Sequence, residues 1–76
     1  MTSPSVVAHM GDIQHEYSQA RKKHRPMHSA HEGYAVLKEE VDEMWDAIKA
    51  NDIPHARREA LQVAAMALAF LCEVQA

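Results

Sequence analysis

The chain has 76 residues, a formal net charge of -3 and one cysteine, Cys72. A chain this short lies near the lower limit of what one hydrophobic core stabilises, which predicts a single domain over 1–76 that completes its core by assembling with copies of itself. A lone thiol excludes an intramolecular disulfide and any zinc site that needs two thiolates from one chain, and a reducing, cytoplasmic setting fits.

The opening residues MTSPSVVAHMGD lack the basic start and long apolar run of a signal peptide, and no stretch reaches the length of a membrane span. Neither secretion nor membrane contact is expected. Basic residues concentrate in Arg21, Lys22, Lys23 and Arg25, whereas residues 31–76 carry nine acids against four bases. An acidic core argues against a nucleic-acid partner. Two glycines, three prolines and an abundance of Ala, Glu, Met and Leu point to an all-α chain without repeats.

Val6, Met10, Ile13, Tyr17 and Ala20 alternate spacings of four and three, one stripe of an amphipathic helix predicted over about 4–24. Ser3 or Ser5 caps its start, and the basic knot followed by Pro26 marks its end. Ser29 and Glu32 form a capping box before a second helix, predicted over about 30–50, with the stripe Tyr34, Leu37, Val41, Met44 and Ile48. Asn51 suits the left-handed position after a helix, Asp52 caps the next one, and Pro54 fits its first turn. So short a connection makes the second and third helices antiparallel neighbours.

The third helix, predicted over about 54–74, is apolar or small around most of its circumference, with one narrow strip holding Arg58, Glu59, Gln62, Met66 and Glu73. Two helices of one chain cannot cover that much apolar surface. The three helices are therefore expected to assemble into a dimeric or higher helical bundle, a homodimer or homotetramer.

Folding the chain back about Asn51 sets Glu43 level with Glu59, and Glu40 level with Gln62, because both helices rise about 1.5 Å per residue. Three carboxylates and a carboxamide then face one another across a gap that side chains of this length close around a hard cation. The segment KEEVDEMWD also stacks like charges at helical neighbours, which costs a few tenths of a kcal/mol per pair in an isolated helix. A solvated acidic face is the plain alternative. Against it, Val36 and Ala47 flank the strip that holds Glu40 and Glu43, and Glu59 lies on a helix whose other faces are mostly apolar. Glu39, Asp42 and Asp46 point elsewhere, toward solvent or an outer supporting role, which is assigned to Glu39.

The elements EEVDE and EALQ resemble the paired acidic motifs of the all-α nucleoside triphosphate pyrophosphatases, and HEGYAVLKEEVDEMWDAI with EALQVAAMALAFL looks most like the small MazG-like members. The resemblance spans roughly residues 15–74. It implies Glu40 and Glu43 as a first metal pair, Glu59 as a third ligand, and Mg²⁺, or Mn²⁺ in its place, as the cofactor. Where the family has Asp, this chain has Gln62, a ligand with a carbonyl oxygen but no charge. The implied reaction is hydrolysis of a nucleoside triphosphate to the monophosphate and pyrophosphate, with Glu43 accepting a proton and nucleotide-pool clearance as the role. The loss of the acid at 62 keeps open an alternative, a catalytically degenerate helical dimerisation or interaction module.

Lys22, Lys23 and Arg25 are candidates for the substrate phosphates, and helix-end electrostatics is their simpler role. His24, His28 and His31 lack the spacing and the thiol partners of a zinc site. Trp45 is expected in the core or at a subunit interface, Tyr34 in the core, and Cys72 in a structural position.

Overall fold

The computed structural model describes residues 3–76, and among them it has three helices and no strand: α1 (Pro4–Lys23), α2 (Ala30–Lys49) and α3 (Ile53–Glu73). Each start follows from a capping side chain. Ser3 Oγ accepts from the Val6 N–H at 3.2 Å, Ser29 Oγ from Glu32 at 3.1 Å and Asp52 Oδ1 from His55 at 3.2 Å. Each bond satisfies an amide that the helix itself leaves without a partner. Pro4 and Pro54 stand in first turns, where a missing N–H costs nothing. The turn from α2 to α3 is made by Asn51, at φ 58°, a left-handed conformation that its short polar side chain tolerates.

α3 is the central element. α2 packs along it antiparallel and α1 packs along its other side, while α1 and α2 do not pack against each other. α1 runs parallel to α3: His9 and Ile13 lie beside Arg57 and Leu61, Glu16 beside Gln62, and Tyr17 and Arg21 beside Glu73. Small residues mark the closest approaches, with Ala65 and Ala69 of α3 wholly covered and Ala47 of α2 nearly so. Gly33 belongs to this set, since a Cβ there would sit 2.6 Å from Phe70 Cδ2 and 3.1 Å from Met27 Sδ.

The covered face of α2 differs from its expected stripe. Tyr34, Val41 and Ile48 are exposed, as is Trp45, whereas Gly33 and Ala47 are buried and Val36, Leu37, Glu40 and Met44 are half-buried. At about 100° per residue, the packed arc is rotated by roughly 70° from the apolar stripe, toward Glu40. Val36 and Ala47, the apolar neighbours of the acids, mark the packing face, and Tyr34, Val41, Trp45 and Ile48 are left outside it. On α1 likewise, Val6 and Met10 are exposed while Ile13, Tyr17 and Ala20 are half-buried.

No large side chain is fully buried among the described residues. The chain measures 34 × 33 × 22 Å, a flat layer, with a radius of gyration of 13.1 Å. A compact domain of this length would have a radius near 11.4 Å. Its accessible surface is 5624 Å², against about 4,700 Å² expected for a folded monomer of 8.6 kDa. The surplus is about 900 Å², and large apolar side chains on all three helices stand exposed. No helix among the described residues is long and apolar enough to cross a membrane.

Candidate metal centre

Glu40 and Glu43 stand one helical turn apart on α2, and Glu59 faces them from α3. One oxygen from each lies within 4.8 Å of the others. The hairpin register read from the sequence thus brings together the three carboxylates it paired. Carboxylates so close repel one another, and two of them hold their protons more tightly than usual. Glu40 is pushed up to about 7, first by burial and then by the neighbouring carboxylates of Glu59 and Glu43. Glu43 is raised too, by lost hydration first and then by Glu59, although its side chain stays exposed.

Glu59 is more enclosed than Glu43, its side chain 15% exposed. Its Oε1 lies 3.2 Å from His55 Nε2, one turn back on α3. Its Oε2 is buried with no hydrogen-bond partner. The groups beside it are carboxylates, which donate only when protonated. Arg57 and Arg58, the cations nearest in sequence, are exposed and leave the local role to His55. A cation would supply what this arrangement lacks, a positive charge among three acids and a partner for a buried lone pair. Oxygens bound to one Mg²⁺ lie at most about 4.2 Å apart, so small side-chain rotations close the cluster to that size. The donor set, oxygen only and with no thiolate or imidazole required, suits Mg²⁺ or Mn²⁺.

Beside the cluster runs a groove of ≈ 610 Å³. Gln62 and Met66 of α3 form its floor, Glu16, Gln19 and Ala20 of α1 one wall, and Val36, Glu39 and Glu40 of α2 the other. Two residues of the polar strip that interrupts the apolar surface of α3, Gln62 and Met66, are thus the groove floor. Glu39 is exposed at the rim, as an outer supporting residue would be. Gln62 does not aim its nitrogen at the carboxylates; it donates to Glu16 Oε1 at 2.5 Å.

The basic residues close the far end. Lys23 lines the groove, and so does Arg25, which grips Glu32 with both terminal nitrogens at 3.2 Å. Lys22 is exposed. Arg21 lies inward, ion-paired with Glu73, stacked 5.6 Å from the centre of the Tyr17 ring and donating to the His24 carbonyl at 2.6 Å. Glu73 also accepts from the Tyr17 hydroxyl at 3.1 Å and from the Met27 N–H at 3.0 Å. This clasp ties α1, the α1–α2 connection and α3 together at the basic end of the groove. Sequence reasoning missed both Glu16 and the clasp, because α1 carries no motif that fixes its register against α3. The acidic Glu73 in an apolar helix was the available signal. His24 lines the groove, and His28 and His31 are exposed. Cys72 is exposed. Compared with protein families, curated proteins and solved structures, the chain matches none.

Proposed function

We propose that this chain is a Mg²⁺-dependent nucleoside triphosphate pyrophosphohydrolase, acting as a homodimer or homotetramer. The observation that carries the reading is the convergence of Glu40, Glu43 and Glu59, with the buried, unpartnered Oε2 of Glu59 among them. A set of acids kept only for solubility has no reason to be pressed together on the packing face of two helices.

Glu40, Glu43 and Glu59 would hold the ion, Gln62 adding its carbonyl oxygen through water. When bound, Mg²⁺ supplies charge to the triphosphate and acidifies a water molecule. Glu43, the most exposed of the three, would accept the proton of the attacking water. Lys23 and Arg25 at the groove end supply positive charge to a bound polyanion. The products are a nucleoside monophosphate and pyrophosphate, and the role is clearance of nucleotides from the pool.

The oligomer rests on the surplus surface, about 900 Å², close to the roughly 800 Å² that each partner contributes to a standard interface. Tyr34, Val41, Trp45 and Ile48 form the apolar face that a second copy would cover.

Pyrophosphate release measured across the ribo- and deoxyribonucleoside triphosphates tests the reading. Mg²⁺-dependent release that Glu43→Gln abolishes supports it. An intact oligomer with no release and no Mg²⁺-dependent stabilisation favours instead an interaction module on the same scaffold, to which the exposed apolar faces and the uncharged Gln62 also lend support.

A further inference from the structure

In the groove Glu16 has no task at the cation, and Gln62 would use only its carbonyl oxygen there. Glu16 comes from α1 and Gln62 from α3, both half-buried, and the bond between them is 2.5 Å long. A carboxylate accepts and does not donate, so this bond fixes the amide: nitrogen toward Glu16, carbonyl oxygen away. The pair thus presents a carboxylate with spare accepting capacity next to the second N–H of Gln62. Met66, Val36 and Ala20 line the same groove with apolar surface, and Glu40 stands on the opposite wall.

We infer that Glu16 and Gln62 read the base of the nucleotide and select guanine. This rests on the nucleotide reading above and names its substrate class. A planar base needs apolar surface for its faces and a matched edge. Guanine presents two adjacent donors, N1–H and the N2 amino group, beside the acceptor O6. The two donors match one carboxylate, and O6 matches the Gln62 N–H. Adenine and cytosine each place a ring acceptor beside their amino group, and uracil and thymine set one N–H between two carbonyls. On all of these a carboxylate oxygen meets an acceptor, and a half-buried carboxylate left against an acceptor is costly. With the phosphates at the carboxylates of the α2 wall, the base extends across the groove to the α1 wall where Glu16 stands. A matched two-bond pairing discriminates against a wrong base by about 10- to 100-fold.

The test uses the full chain with Mg²⁺ and the α,β-methylene analogues of GTP, ATP, CTP and UTP, titrated by calorimetry. The GTP analogue is expected to bind at least about tenfold more tightly than the other three. Glu16→Gln keeps the size of the side chain and a hydrogen bond to Gln62, and it should erase that preference. The other three analogues should bind the same variant as tightly as before or more tightly, since no carboxylate then faces their ring acceptors, and this shows that the groove is intact. Equal binding of all four by the natural chain, or a guanine preference that survives Glu16→Gln, overturns the inference and leaves the nucleotide reading standing. Absence of binding by every analogue overturns both.

Discussion

Replacing Glu40 by Gln removes the carboxylate whose ionisation the fold resists most. Its pKa in the folded protein is about 7 against an ordinary 4.5. Between those values the folded state holds more protons than the unfolded chain, so without metal the stability falls as pH rises from about 4.5 to about 7 and stays low above it. Undamped, such a shift corresponds to about 3 kcal/mol. Glu40 is only part-buried, and solvent and salt screening reduce the loss to on the order of 1 kcal/mol. For a chain of this size that is about 4–8 °C in the melting temperature. Thermal melts at one protein concentration, from pH 5 to pH 8.5, in EDTA or in Mg²⁺, read it directly. In EDTA the natural chain should lose stability toward pH 8.5, and Glu40→Gln should flatten that dependence and melt higher at pH 8. Mg²⁺ should restore the natural chain's stability at high pH and do much less for the variant, because a ligand that binds only the folded state stabilises it. A variant that melts lower than the natural chain in EDTA at pH 8, or that keeps the full Mg²⁺ response, would refute the reasoning.

Gln62→Asp should lower metal-free stability, by breaking the bond to Glu16 and adding a carboxylate beside it, while tightening Mg²⁺ binding several-fold by calorimetry; unchanged affinity would place residue 62 outside the cation's reach. Glu73→Gln leaves Arg21 without its charge partner in a site where the Glu73 side chain is 7% exposed, and should cost about 2 kcal/mol, on the order of 10 °C in melting temperature. Trp45→Glu should dissociate the oligomer in sedimentation velocity with the helical content intact, because Trp45 is 56% exposed and forms no part of the protomer's interior.

Local signals were legible because they act within a few residues. Ser3, Ser29 and Asp52 cap helices that begin where their side chains predict, and Asn51 takes the positive φ that a short helical connection requires. The acidic cluster was legible to the same depth: Glu40, Glu43 and Glu59 meet because one tight turn fixes the register of one hairpin. Beyond the hairpin the reading thinned. Tyr34, Val41 and Ile48 have the spacing of a core stripe, but amphipathic periodicity does not distinguish a face buried within the chain from one left at its surface. Alanines and Gly33 decide which face packs, by permitting close approach, and they contribute little to a hydrophobic pattern. The placement of α1 depends on Glu16, Tyr17 and Arg21 meeting residues 46, 56 and 52 positions later, contacts with no local signature.

Growing crystals of the full chain at pH 8, soaking them in Mn²⁺ and locating the ion by anomalous scattering tests the central claim most directly. The account predicts one strong peak bonded to oxygens of Glu40, Glu43 and Glu59, lost in crystals of Glu59→Gln. Ordered carboxylates with no peak among them at saturating Mn²⁺, or a peak that persists in Glu59→Gln, would contradict it.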